Sequence, residues 1–328
     1  MVSRSPERPV AAWIDRERRV NGVVPALTLI LKSGGCTWNR CLMCGYRHFR
    51  FPGDEETLAG LVRGQLRWVQ ERFPADGYGV VKIFTSGSFL DPGEVPVMAR
   101  REVLGLFRGK EIVVETRPEF VTEEAVGDCM AVLDPGNGQV SFSVAIGIET
   151  SDDGIREKCM NKGFSFEDFA GASRTARKAG AGIKAYLLQK PPYLTEREAI
   201  DDVVRSAADV RPFADAISLN PCTVQKGTEV ERLWRNRAYR PPYLWSVLLA
   251  LSRAGPGIIC DPVGGGTPRG PHNCPKCDEE LVRGIRDYNL SGDRSLIEAL
   301  LELDCCGCKK EWEFVLGAER PWAMPLTG

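Results

Sequence analysis

The sequence predicts an α/β fold: a partial (β/α)6 TIM-like barrel followed by a small cysteine-rich, metal-binding C-terminal module. Three observations carry this. Six short apolar runs alternate with helical patterns, which calls for parallel strands joined by helical crossovers. The chemistry-bearing residues fall just after the strands, where the βα loops of a barrel build an active site. From about Asp261 the chain turns to "DPVGGGTPRGPHNCPKCD", too rich in Gly and Pro for a helix or a central strand. The expected division is an N-terminal extension over 1–24, the barrel over 25–260 and the module over 261–328.

Each element has its own signal. "PALTLILK" (25–32) reads as the first strand. The next helix is expected to carry Leu58, Leu61, Val62, Leu66, Val69 and Phe73 on one face. "YGVVKIFTSG" (78–87) is the second strand, with a helix through "VPVMARREVLGLF". "KEIVVETRP" (110–118) is the third, and Thr122 with two following glutamates starts its helix. "GQVSFSVAIGIET" (138–150) is the fourth. Ser165 and Asp168 form a capping-box pattern for the helix that Gly180 stops. "AGIKAYLLQK" (181–190) is the fifth, followed by a helix with Thr195 and Glu198 in the same relation. "FADAISLN" (213–220) is the sixth, and "PYLWSVLLALSR" supplies another apolar helix.

Composition narrows the function class. The 328 residues carry a formal net charge of −1, so no global field draws the protein to nucleic acid or an acidic membrane. No run approaches the length of a membrane span, and the N-terminus lacks a signal-peptide apolar core. A cytoplasmic protein with no membrane association is expected. In that compartment the 12 cysteines are ligand candidates rather than disulfides, above all where they cluster. Cys129, Cys159, Cys222 and Cys260 stand singly and are expected to pack as small apolar side chains.

The first cluster is "SGGCTWNRCLMCGY", with Cys36, Cys41 and Cys44 in C-x4-C-x2-C spacing right after the first strand. Three thiolates are one short of a closed structural zinc site. His48 is spaced to complete a zinc set. The other reading is a four-iron cluster with three protein ligands and one open iron.

The surrounding motifs resemble the radical S-adenosylmethionine (SAM) superfamily, whose usual signature is C-x3-C-x2-C in this loop of a partial barrel. The present spacing is one residue longer. "TSGSF" (85–89) occupies the place of the motif that binds the SAM amino group, with Ser88 where an acidic residue is usual. "ETRPE" (115–119) and "GIET" (147–150) are similar to motifs of the elongator-type branch. The resemblance implies a 4Fe–4S cluster on Cys36, Cys41 and Cys44. It implies SAM contacts from Ser86, Gly87, Ser88, Glu115, Glu149 and Arg156, with Lys162 a second basic position. It names no catalytic residue.

More specifically, "LLQKPPYLTEREAIDD", "SLNPCTVQKGTEVERLW" and "YRPPYLWSV" are similar to the archaeal RaSEA family of archaeosine biosynthesis. That implies a lyase acting with the archaeosine synthase ArcS and a reducing electron donor. Its substrate would be tRNA carrying a lysine adduct of 7-cyano-7-deazaguanine at position 15, and carbon–nitrogen cleavage would leave archaeosine. Another radical SAM modification of RNA, or a non-catalytic zinc protein that binds RNA or a partner, is the alternative.

Two further features bear on this reading. Lys226, Arg232, Arg235, Arg237 and Arg240 interleave with Trp234, Tyr239, Tyr243 and Trp245, a pattern suited to phosphate contact and base stacking or to an amphipathic packed segment. Lys184 and Lys190 flank the fifth strand within reach of a substrate carboxylate or of solvent. Finally, Cys274-x2-Cys277 and Cys305-x2-Cys308 stand 27 residues apart, a four-thiolate metal pattern. Zinc or a second iron–sulfur cluster would fit, with Cys306 and His272 as spare ligands.

Overall fold

The computed structural model describes residues 7–320, except 135, 137, 139 and 305. All six expected strands are present, with two more. In chain order the strands are β1 (Ala11–Arg19), β2 (Gly22–Ile30), β3 (Val80–Phe84), β4 (Glu111–Thr116), β5 (Phe142–Glu149), β6 (Gly182–Gln189), β7 (Ala216–Pro221) and β8 (Ile258–Cys260). They form one eight-stranded sheet in that same order. β1 pairs antiparallel with β2, whereas β2–β3, β3–β4, β4–β5 and β7–β8 pair in parallel. This is the α/β half-barrel expected of six consecutive strand–helix units.

β1 departs from the expected N-terminal extension. Its "IDRER" core is charged and largely exposed, so it lacks the apolar run that marks the other strands. Its pairing partner is what makes it a strand: nine residues register against β2 from Ala11–Ile30 to Arg19–Gly22. β8 has only three residues and escapes sequence reading for that reason.

The chain divides into two compact units. One comprises Met1–Asn39, Tyr46–Gly147 and Glu167–Lys184; the other comprises Arg40–Gly45, Ile148–Phe166 and Ala185–Gly328. The first holds α1 (Glu55–Gln70), α2 (Val97–Leu106) and α3 (Glu123–Leu133). Asp54 caps α1 by accepting from the Thr57 amide, and Thr122 caps α3 by accepting from that of Ala125. Leu58, Leu61, Val62, Leu66 and Val69 are buried as their spacing requires, while Phe73 falls beyond the end of α1. In the same unit Leu27, Leu29, Val81, Ile83, Ile112 and Val114 of β2, β3 and β4 are fully inaccessible.

A single short turn of helix, α4 (Asp153–Ile155), follows β5 and continues as a wider π turn over Arg156–Met160. α5 (Phe166–Lys178) ends at Gly180, whose φ of +86° suits a residue without Cβ. The second unit holds α6 (Glu196–Val210), with Thr195 and Glu198 making a complete capping box. α7 (Glu229–Arg235) and α8 (Leu244–Arg253) follow. α9 (Asp278–Ser291), α10 (Arg294–Leu301) and α11 (Cys308–Ala318) complete the chain's helices among the described residues. The core here gathers around α8, where Leu244, Trp245, Val247 and Leu248 are fully buried. No helix among the described residues is long and apolar enough to cross a membrane.

Candidate active site

In the first unit, the loop after β2 and the loop after β3 are docked on each other through Glu94. Its carboxylate accepts hydrogen bonds from the Ser33 hydroxyl (2.7 Å), the Gly87 amide (2.9 Å) and the Ser88 amide (2.6 Å). Its main-chain oxygen accepts from the Gly34 amide at 2.9 Å. Glu94 is fully buried, and burial pushes its carboxyl pKa up against the pull of these donors. The Thr37 hydroxyl adds a bond to Asp91. Glu94 thus brings an acidic group to the "TSGS" loop from six residues downstream of Ser88.

That docking leaves no room at Gly87. A Cβ added there would sit 2.6 Å from the Cys36 Cβ and 2.7 Å from its sulfur, closer than packed atoms approach. Only glycine lets the "TSGS" backbone press against Cys36. Gly34 is equally constrained, since its Cβ would fall 2.6 Å from the Gly93 oxygen. Ser86 and Ser88 are buried, and the Ser88 hydroxyl accepts from the Arg117 amide at 3.1 Å. Glu115 is half-buried at the end of β4 and offers its main-chain oxygen to the Phe89 amide at 2.9 Å. The Arg117 guanidinium lies over the Trp38 ring at 5.3 Å and donates to Glu119.

In the second unit, Cys41 and Cys44 sit half-buried in a segment held at both sides. The Leu42 amide donates to Met160 and its oxygen accepts from Glu229 at the start of α7, at 2.9 and 3.0 Å. The Gly45 amide donates to the Gln225 side chain, and the Asn161 side chain donates to the Arg40 oxygen at 3.2 Å. Met43 packs into the apolar cluster of Ile155, Cys159, Met160 and Leu194. The π turn therefore serves as the anchor for the cysteine segment.

Glu149 ends β5 with φ +67°, a left-handed conformation that costs a non-glycine residue energy. Its carboxylate pairs with Lys162 at 2.9 Å, both groups largely shielded from water. Arg156 is fully buried and spends its donors on the carbonyls of Thr150 and Phe164 and on Asp153. It ties the turn after β5 together from within.

Lys190 is buried and not a solvated lysine. Its ammonium lies 2.9 Å from Glu196 and 3.9 Å from Glu319, beside the Tyr239 ring. The interleaved segment resolves toward packing: Tyr239, Tyr243 and Trp245 are buried, and the Arg269 guanidinium covers Trp234 at 5.0 Å. Lys226, Arg232, Arg235 and Arg237 remain on the surface, with Arg232 paired to Glu229 and Arg235 to Glu231.

The second cysteine cluster also lies in this unit. Cys274, Cys277, Cys306 and Cys308 bring their sulfurs within 4.8 Å of one another. Cys306, a spare on the sequence pattern, is one of the four; Cys305 lies outside the described residues. The His272 ring is engaged with the Gly270 oxygen at 2.8 Å and is not part of the group.

Comparison with known proteins follows from this geometry. The chain is 42% identical over 335 residues to archaeosine synthase subunit beta of Methanosarcina acetivorans, covering 97% of this chain and 93% of the relative. The chain belongs to the family of archaeosine synthase subunit beta. Family members extend to Thermococcus kodakarensis, whose archaeosine synthase subunit beta is 36% identical over 93% of this chain and 95% of its own length. No family model matches the chain. A solved radical SAM methyltransferase from Sphaerobacter thermophilus is 13% identical, with a TM-score of 0.47 over 77% of this chain and 76% of its own.

Proposed function

We propose that the protein is the radical SAM subunit of an archaeosine synthase, a lyase acting on tRNA. It would cleave the carbon–nitrogen bond of a lysine adduct of 7-cyano-7-deazaguanine at position 15, together with a partner of the ArcS type. The observation that carries this reading is full-length similarity to two archaeosine synthase subunits beta, combined with a three-cysteine loop after β2.

The residues present fit the cofactors of such an enzyme. Cys36, Cys41 and Cys44 are soft donors suited to three irons of a 4Fe–4S cluster, and three ligands leave one iron open. Ser86, Gly87 and Ser88 would lie along SAM, with Glu115 and Glu149 available to its ribose hydroxyls or ammonium. When bound and reduced by an electron donor, the cluster and SAM supply a carbon radical able to abstract hydrogen from the lysine moiety. The chain's own task is to hold and shield. Glu94 fixes the "TSGS" loop on the cysteine loop. The Lys162 ammonium, paired with the Glu149 carboxylate at 2.9 Å, would hold that side chain in place. With a net charge of −1, RNA affinity is expected to come largely from the partner, aided by the exposed cations of α7.

The test is anaerobic reconstitution with iron and sulfide, then dithionite, SAM and lysine-adduct tRNA with the partner. Archaeosine and 5′-deoxyadenosine are the expected products, both absent in Cys44→Ala. Only zinc bound at the first cluster, and no SAM cleavage, would overturn the proposal.

A further inference from the structure

The turn after β6 bends around two prolines and is held under strain. Lys190 and Tyr193, on either side of Pro191 and Pro192, adopt left-handed φ values of +58° and +75°. The Tyr239 hydroxyl fixes the turn by donating to the Lys190 oxygen at 2.8 Å. Beside the turn lies a small cleft lined by Lys190, Tyr193, Tyr239, Arg240, Glu319 and Arg320. Tyr239 also belongs to the apolar cluster against which Met43, between Cys41 and Cys44, is packed. The cleft and the cysteine segment therefore share one floor.

Two features of this cleft call for an anion. The first is Lys190 itself. An ammonium has three donors, and this one is buried yet makes one hydrogen bond among the described residues, to Glu196 at 2.9 Å. The second is the start of α6. Its capping box satisfies the amides of Thr195 and Glu198. The Glu196 amide, at the first helical position, has no acceptor within its own helix. A distant carboxylate meets it: Glu319 accepts from that amide at 2.7 Å, with its other oxygen 3.9 Å from Lys190. One oxygen on a helix N-terminus and the other toward a buried ammonium is an anion-binding arrangement. The Lys190 distance exceeds a hydrogen bond, so Glu319 fits the place incompletely.

We propose that this cleft receives the carboxylate of the substrate's lysine moiety, on the Lys190 ammonium and the Glu196 amide, and that Glu319 keeps the place while no substrate is bound. The identity of the substrate rests on the reaction proposed above. Whichever amine of lysine carries the adduct, its carboxylate stays free. Lys190 is neutralised by Glu196, and Arg240 and Arg320 remain against Glu319 alone, so the cleft favours an incoming negative charge. Glu319 is suited to give way. It follows the end of α11, and its side chain is 34% exposed, so rotation about its own bonds frees the amide without moving the helix.

The test measures binding of L-lysine to the full chain by equilibrium dialysis, with L-lysinamide, which lacks the carboxylate, as the paired probe. L-lysine should bind at least about tenfold more tightly than the amide. Glu319→Ala should strengthen L-lysine binding about three- to tenfold, because it removes the internal competitor. Lys190→Met should weaken it at least about tenfold, although leaving Glu196 buried and unpaired puts folding at risk. Glu319→Ala carries no such risk and decides the matter by itself. Equal binding of the two probes, no lysine binding in Glu319→Ala, or an affinity that ignores Glu319 would overturn the proposal. With lysine-adduct tRNA and the partner, Glu319→Ala should lower the substrate concentration for half-maximal archaeosine formation and leave the maximal rate unchanged. Archaeosine formed without that response would overturn the carboxylate site alone. Carboxylate-dependent lysine binding that follows Glu319, with no archaeosine from the wild type, would uphold the site and defeat only the reaction proposed above.

Discussion

The two cysteine clusters set the same side chain in contrasting surroundings. The C-terminal four arrive with their sulfurs gathered, two of them buried, at the starts of two helices whose far surfaces are packed. The N-terminal three are half-buried, and they are split, with Cys36 in one compact unit and Cys41 and Cys44 in the other. Glycines and borrowed hydrogen bonds organise that loop rather than sulfur neighbours. A closed ligand set stabilises a fold, whereas a three-ligand set leaves room for chemistry. The same element of sequence can thus serve structure or reaction, according to what its backbone is anchored to.

The widest separation is expected between Cys41→Ala and Cys308→Ala. The first should abolish 5′-deoxyadenosine formation while shifting the melting temperature by less than about 2 °C. The second should lower that temperature by about 10 °C, with SAM cleavage persisting below the transition. Equal losses of both properties in both variants would dissolve the contrast.

Gly87→Ala probes how tightly the reactive loop is built. Its Cβ would fall 2.6 Å from that of Cys36, and overpacking of this kind costs about 1–3 kcal/mol. SAM cleavage should fall roughly ten- to a hundredfold, since about 1.4 kcal/mol is a factor of ten. Wild-type turnover would show that the loop relaxes freely.

Glu94→Gln is expected to act in the same direction, more gently. The amide keeps one acceptor oxygen but turns an N–H₂ toward one of the two backbone amides, for a loss of about 1–3 kcal/mol. A several-fold rise in the SAM concentration needed for half-maximal cleavage, with the melting temperature unchanged, would sharpen the comparison.

Glu17 provides a control in which neither cluster takes part. Burial alone would raise its pKa, but Lys82, Lys184 and Arg19 outweigh burial and hold it at about 2. A carboxylate depressed in the folded state contributes stability that is present above its unfolded value and lost as pH falls through the folded one. Stability should therefore decline between about pH 4.5 and about pH 2. The contribution is on the order of 3 kcal/mol. Chemical denaturation of Lys82→Met across that range should show a flatter acid limb from a lower starting stability. An unaltered limb would assign the acid sensitivity elsewhere.

The reading from sequence succeeded where the signal was local. Six apolar runs became β2 to β7, and the caps at Thr122 and Thr195 formed as their spacing implied. It faltered where the partner was distant. β1 looks like a charged surface segment until β2 offers its backbone. The aromatics around Tyr239 look equally suited to stacking or packing, and burial decided for packing. Glu94, within "LDPGEV", resembles an ordinary turn residue, and nothing in that stretch announces that it ties Ser33 to Ser88.

By itself, then, the sequence determined the alternation of strands and helices, the cysteine spacings and the family, because these depend on residue type and short-range periodicity. Tertiary structure alone decided that Cys306 joins the C-terminal thiols, that Lys190 is buried beside Glu196, and that Gly87 must lack a side chain. Each of those facts is a distance between atoms far apart along the chain. Such distances are set by how packed elements meet, and no local pattern encodes them.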